Sequence, residues 1–274
     1  MTARPMQADL EEACPADQKR ILQLAVEAGE TLLVNGGEIF RVQDTMERIA
    51  RALGARDFHA YVLTNGLFAS IDGGQRMGSA VRALNVGSTH LGRIMAVNAL
   101  SRDIVEGKTG LEEAFRRLDE IRRMPYKSSW TRIAACGVGA GCFAYLFGGA
   151  LIDALVGCAV GLLLEPLSLG LERVKTGKFI SILLSSVWVA LLSMVFVTAL
   201  GHLGVPASLD KVIIGGIIPL VPGIALTNGI RDIAGGDYLS GTIRAIDALL
   251  IGAAIALGVG LVLKLGVWMT GVAV

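Results

Sequence analysis

Apolar residues recur at helical spacing from Lys19 to Val34 and again from Ile39 to Leu53, where Ile39, Val42, Met46, Ile49 and Leu53 mark one face. Two amphipathic helices are expected, joined as a hairpin by Asn35-Gly36-Gly37, with Gly54 closing the second. The pattern then changes period. Phe58 to Thr64 and Leu67 to Asp72 are rich in aromatic and β-branched residues around Asn65-Gly66, a strong hairpin signal. Past Gly73-Gly74, Ser79 to Val86 fits a third strand, Leu91 to Val105 a helix, and Thr109 with Glu112 a capping box opening a helix through Met124.

Beyond Trp130 the alternation of polar and apolar positions gives way to long apolar runs. Five stretches approach the roughly 20 apolar residues that cross a bilayer, near 131–149, 151–171, 179–200, 211–230 and 243–264. Composition supports two solvents for two halves. The chain is 53% hydrophobic, yet residues 1 to 129 hold 17 Lys/Arg and 17 Asp/Glu, against 8 and 7 in the rest. The expected architecture is an α-helical membrane protein of about five transmembrane helices with an N-terminal soluble α+β domain. Its parts are a polar tail at 1–18, the α+β domain at 19–126 and the transmembrane domain at 127–274.

Charge fixes an expected orientation. Arg122, Arg123, Lys127, Arg132, Arg173, Lys175, Lys178, Arg231 and Arg244 fall on one side of the spans, against Lys211 and Lys264 on the other. The positive-inside rule puts the N-terminal domain in the cytoplasm of a bacterial inner membrane and the C-terminus outside. No apolar leader precedes Asp17, so no cleaved signal is expected. The charges balance to +1 without a basic face, which excludes nucleic acid as the expected partner.

Catalytic and metal chemistry find little footing. Cys14, Cys136, Cys142 and Cys158 lack CxxC spacing and three lie in apolar runs, and the three histidines are scattered, so neither metal nor cofactor is expected. Gly107-Lys108-Thr109 matches the end of a P-loop, but Arg102 stands where glycine is needed and a helix precedes it, so it reads as a helix boundary. Ala234-Gly235-Gly236-Asp237 resembles the GxGD element of membrane aspartyl proteases, yet position 234 is alanine and no partner aspartate is expected inside a preceding span, Asp153 being placed in the short outer turn after Gly148-Gly149. The reading is of a protein that is not an enzyme.

The fourth apolar run is unusual, because Gly215, Gly216, Pro219, Pro222 and Gly223 crowd its middle. Each proline removes a backbone donor and clashes with an earlier carbonyl, so the helix cannot run straight in hydrocarbon. Discontinuous helices of this kind line transporter sites, although a plain kink is the simpler account. Pro219, Pro222, Gly223 and Asn228 are therefore candidate substrate-path residues, with Arg231 and Asp232 at its cytoplasmic mouth. Glu165 and Asp247, near span ends, are candidates for proton coupling or for ion pairing with Arg173 or Arg244. Small residues at Gly137/Gly141, Gly157/Gly161 and Gly252/Ala256/Gly260 are assigned to helix packing. In the soluble half Glu38, Arg41 and Asp44 share part of a helix face, most simply an ion-paired one.

The run from Ile218 through Pro219-Leu220-Val221-Pro222-Gly223 to Thr227-Asn228-Gly229-Ile230-Arg231-Asp232, followed by Gly236-Asp237-Tyr238-Leu239-Ser240-Gly241, resembles the signature of the threonine/serine exporter family. In the front half Ala28-Gly29-Glu30, Asn35-Gly36-Gly37-Glu38-Ile39, Arg41, Asp44-Thr45, Asn65 to Ser70 and Asn98 to Arg102 resemble its cytoplasmic domain. The resemblance implies export of small carboxylate-bearing metabolites, threonine and serine in one branch and succinate in a split, two-protein branch. With about five spans the chain resembles the larger subunit of the split form, which implies a small membrane-protein partner; without one, a homo-oligomer is the alternative. A membrane sensor, whose cytoplasmic domain binds a metabolite without transport, is the competing function.

Overall fold

The computed structural model describes residues 15–55, 57–72, 77–84, 89–126, 128–174 and 176–270. The tail through Cys14, Gly73-Gly74, the strand end at Asn85 and Val86, and the topology residues Lys127 and Lys175 lie outside the described residues. The chain divides into two compact units, Met1–Tyr126 with Asp232–Ser240, and Lys127–Arg231 with Gly241–Val274.

In the N-terminal unit α1 (Pro15–Val34) and α2 (Ile39–Ala52) form the expected hairpin. The turn closes as Gly36, at φ +91°, donates to Leu33 O and Gly37 to Leu32 O, a left-handed cap that a side chain at Gly36 would strain. Three antiparallel strands follow in the order β1 (Phe58–Leu63), β2 (Gly66–Asp72), β3 (Met77–Ala83), then α3 (Leu91–Val105) and α4 (Leu111–Arg122). Phe58, Ala60 and Val62 pair with Ile71, Ala69 and Leu67, so one buried stripe crosses the sheet and meets α1 and α2. Its core continues through Ile21, Leu24, Met46, Ile49, Leu100 and Leu118.

Two local expectations need correction. The hairpin turn falls on Thr64-Asn65, because Leu63 pairs with Gly66 and a Cβ at Gly66 would come within 2.9 Å of Arg82 O on β3. No capping box forms at Thr109: Gly110 is the cap of α4, Thr109 Oγ1 accepts from Arg117 Nη1 at 2.9 Å, and Glu112 pairs with Arg20 on α1. A guanidinium across the domain outcompetes a backbone amide for that carboxylate.

The second unit contains α5 (Ser129–Leu146), α6 (Leu151–Arg173), α7 (Lys178–His202), α8 (Leu209–Ile217), a 3-10 turn (Ile218–Leu220), α9 (Gly223–Ala234) and most of α10 (Tyr238–Thr270). Among the described residues three helices, α6, α7 and α10, are long and apolar enough to cross a membrane, and the bent pair around Pro222 makes a fourth if it is one span. The predicted first span is α5, which opens on Ser129-Trp130-Thr131-Arg132 and is not among these helices, so three or four of the about five expected spans are found among the described residues.

Close approach through glycine joins α5 to α6. A Cβ at Gly161 would lie 2.7 Å from Cys136 O and 2.9 Å from Gly137 Cα, and one at Gly141 2.6 Å from Ala154 O. Gly215 extends this contact to α8, where a Cβ would sit 2.5 Å from Ala140 O. The same role expected of Gly252, Ala256 and Gly260 is not found. Nothing described comes within 4 Å of a Cβ at Gly252 or Gly260, because the inward face of α10 runs through Ala248, Ile251, Ile255, Gly258 and Val262. Gly258, against Ser186 and Leu183 O, and Gly266, against Met194, are glycines of α10 that pack on α7.

Candidate substrate path in the membrane unit

Proline chemistry breaks the fourth apolar run where the sequence places it. α8 tightens into the 3-10 turn at Pro219, Val221 becomes extended at φ −67°, ψ 129°, and α9 restarts at Gly223, 61° away in direction. The gap is partly closed by Val221 N–H to Ile218 O at 3.1 Å, Gly223 N–H to Val221 O at 2.8 Å and Leu226 N–H to Pro222 O at 3.0 Å. The first turn of α9 nonetheless lacks the carbonyls that a continuous helix would offer its amides, and carries the positive end of that helix's dipole. An electropositive backbone end inside an apolar span suits a carboxylate.

Of the residues assigned to this path, Pro219, Pro222 and Gly223 form the break itself. Asn228 lies one and a half turns into α9 and is half-buried. Its neighbour Gly229 lets α10 approach: a Cβ there would be 3.1 Å from Gly241 O and 3.2 Å from Ala245 N. Arg231 is exposed and Asp232 buried near the end of α9. That end closes as Gly236, at φ +92°, donates to Ile233 O and Asp237 N–H to Asp232 O. Asp237 Oδ1 then accepts from Ser240 N–H at 3.1 Å and caps α10, which gives the protease-like tetrapeptide a structural role.

Glu165 and Asp247 are both ion-paired, with partners other than those expected. Arg132 on α5 donates Nε to Glu165 Oε1 at 2.8 Å and reaches Glu172 at 3.2 Å, whereas Asp247 on α10 pairs with Lys178 on α7. Glu165 is 14% exposed, so Arg132 neutralises a carboxylate that apolar surroundings would otherwise penalise. Pro166, next to it, interrupts the ladder of α6, and Trp188 Nε1 of α7 donates to Leu163 O at 3.2 Å across that fault.

Asp153, which the sequence places in the short outer turn after Gly148-Gly149, is the third residue of α6 and is 1% exposed. Its Oδ2 accepts from Ala150 N–H and its Oδ1 from Ser208 N–H, both at 2.7 Å, so one carboxylate ties the start of α6 to the start of α8. An acidic residue three positions into a helix is a readable capping signal; the second bond spans 55 residues and leaves no local trace. In the N-terminal unit Glu38 and Arg41 pair at 3.4 Å, Asp44 pairs with Arg48, and Asn35 Nδ2 donates to Thr31 O at 2.6 Å, so the motif residues form helix-surface pairs and a helix cap without converging on one centre.

Comparison with known proteins bears on the whole chain. The family described as "Putative threonine/serine exporter" matches residues 23–266. A "Probable threonine/serine exporter" of Mycobacterium tuberculosis is 23% identical over 258 residues, 93% of this chain and 47% of that protein. An uncharacterized protein of Schizosaccharomyces pombe is 24% identical over 259 residues, 92% of this chain and 33% of that protein. The chain thus spans about half or less of the length of these relatives, and no solved structure matches it. A match that runs from α1 to the last turns of α10, across both units and the broken helix, is to the family as a whole: the chain belongs to the threonine/serine exporter family.

Proposed function

We infer that this chain is a membrane component of a secondary exporter of small carboxylate-bearing metabolites, with threonine, serine or a succinate-like dicarboxylate as cargo. The observation that carries the reading is the 61° break between α8 and α9, set in an apolar segment of a chain that matches an exporter family over residues 23–266. The dipole end of α9 receives the cargo carboxylate, and Asn228, further along α9 toward Arg231, supplies a side-chain hydrogen bond. Arg231 and Asp232 lie at the mouth of the path.

In this reading α5 is a fifth crossing packed along α6, the N-terminal domain is cytoplasmic, and the C-terminal end of α10 faces outward across a bacterial inner membrane. The excess of Lys/Arg at one set of helix ends supports that orientation. A small membrane subunit of the same family is the chain's proposed partner. An Asn228→Ala chain inserts like the parent and loses about tenfold in efflux rate, the effect of one hydrogen bond of roughly 1.4 kcal/mol. Unchanged efflux at equal membrane abundance removes Asn228 from the path.

A further inference from the structure

The N-terminal unit contains a cavity of about 120 Å³ lined by Glu30, Thr31, Val34, Asn35, Arg93 and Arg122. It lies where the last turn of α1, the first turn of α3 and the last turn of α4 meet. A volume of this size has room for a small metabolite.

Both guanidiniums at this cavity are poorly used. Arg93 Nη2 donates to Met124 O at 2.6 Å, but Nη1 reaches Asn35 Oδ1 only at 3.5 Å and Nε is buried without an acceptor. Arg122 stands 3.3 Å from Glu27 and 3.8 Å from Glu30. Good pairs of this type measure about 2.7–2.9 Å, and the same unit makes them elsewhere: Arg117–Asp103 at 2.8 Å and Arg123–Asp119 at 2.7 Å. The frame itself is firm. Arg93 is stacked 5.0 Å from the Tyr126 ring centre, Asn35 is tied to Thr31 O, and Thr31 Oγ1 donates to Glu27 O, which leaves its lone pairs free to accept.

Charge selects the ligand class. Two guanidiniums, Arg93 and Arg122, and one carboxylate, Glu30, line the cavity, and Glu27 pairs with Arg122 from beside it, so the charges balance only once Glu27 is counted. A dicarboxylate brings negative charge toward Glu27 and Glu30 with nothing to offset it; a zwitterion matches both signs. We propose that this cavity is a receptor site for a free α-amino acid. The carboxylate lodges between Arg93 and Arg122, the ammonium faces Glu30 and the Thr31 hydroxyl, and a short side chain lies against Val34. The proposal concerns binding by the N-terminal unit and does not depend on transport by the membrane unit.

Calorimetric titration of the purified full chain in detergent with L-threonine, L-serine and succinate tests it. Saturable binding of threonine or serine is expected, with succinate weaker by about tenfold or more. Arg122→Gln and Glu30→Gln each weaken amino-acid binding by a similar factor, Glu30→Gln narrows the gap to succinate, and Arg51→Gln, remote on α2, binds like the parent. Thr31→Val leaves all ion pairs in place and weakens binding severalfold, which separates a lost contact from a disturbed fold. No saturable heat, succinate bound as tightly as threonine, or parent affinity in both Arg122→Gln and Glu30→Gln overturns the proposal. Binding without efflux overturns the exporter reading alone, and efflux without binding in this unit overturns this one alone.

Discussion

Gly161→Leu abolishes assembly of the membrane unit, while Gly260→Leu leaves it intact. At Gly161 the obstacles to a side chain are Cys136 O at 2.7 Å, Ala140 Cβ at 2.8 Å and Gly137 Cα at 2.9 Å, atoms of the backbone or fixed to it. A flexible side chain can swing aside; two helix backbones must separate. Overpacking ordinarily costs about 1–3 kcal/mol, and here it also parts the α5–α6 seam on which Gly215 of α8 rests, so the loss exceeds that range. Gly260 faces open space, and a leucine there meets nothing described within 4 Å of its Cβ. Monodispersity and melting temperature in mild detergent distinguish the two variants. A folded Gly161→Leu chain with the parent's melting temperature would mean that α5 and α6 do not pack this closely.

Asp153→Ala has the second largest effect expected here. The carboxylate accepts two backbone hydrogen bonds, from Ala150 and Ser208, and is almost fully buried. Hydrogen bonds to a charged group contribute about 1.5–3 kcal/mol each, so losing both destabilises the unit by roughly 3 kcal/mol or more. Alanine also leaves two amide donors without acceptors where little water reaches. Asparagine keeps one acceptor oxygen and is expected to lose about half as much. Denaturant unfolding in detergent, followed by the tryptophan signal, measures the difference, and a parent-like midpoint for Asp153→Ala would remove this clasp from the account.

Periodicity reads well where a segment's environment is local. The face of Ile39, Val42, Met46 and Ile49 is buried as the spacing predicts, and α3 occupies the predicted Leu91–Val105. It reads less well where a distant residue competes. Thr109 and Glu112 satisfy the capping pattern, yet Arg117 and Arg20 claim their oxygens. In α10 almost every residue is apolar, so composition cannot tell the inward face from the outward one; GxxxA spacing pointed to Gly252 and Ala256, while contact with α7 selects Gly258.

The candidate site was legible to the extent that backbone chemistry dictates it. Pro219 and Pro222 force a break by their missing donors, and the break is there. Pairing was not legible: Glu165 finds Arg132, and Asp247 finds Lys178, from helices whose relative placement no local pattern encodes. The cavity around Arg93 and Arg122 was likewise hidden, since its walls come from α1, α3 and α4, and only the fold brings them together.

The central claim is tested most directly by efflux of labelled threonine, serine and succinate from preloaded cells that lack their own exporters, with this chain expressed alone and together with a candidate small membrane subunit. The account predicts efflux of at least one of the three above the empty-vector rate, strongest when both proteins are present and reduced by Asn228→Ala. Absence of efflux for all three in both settings, with insertion of both proteins verified, would contradict it.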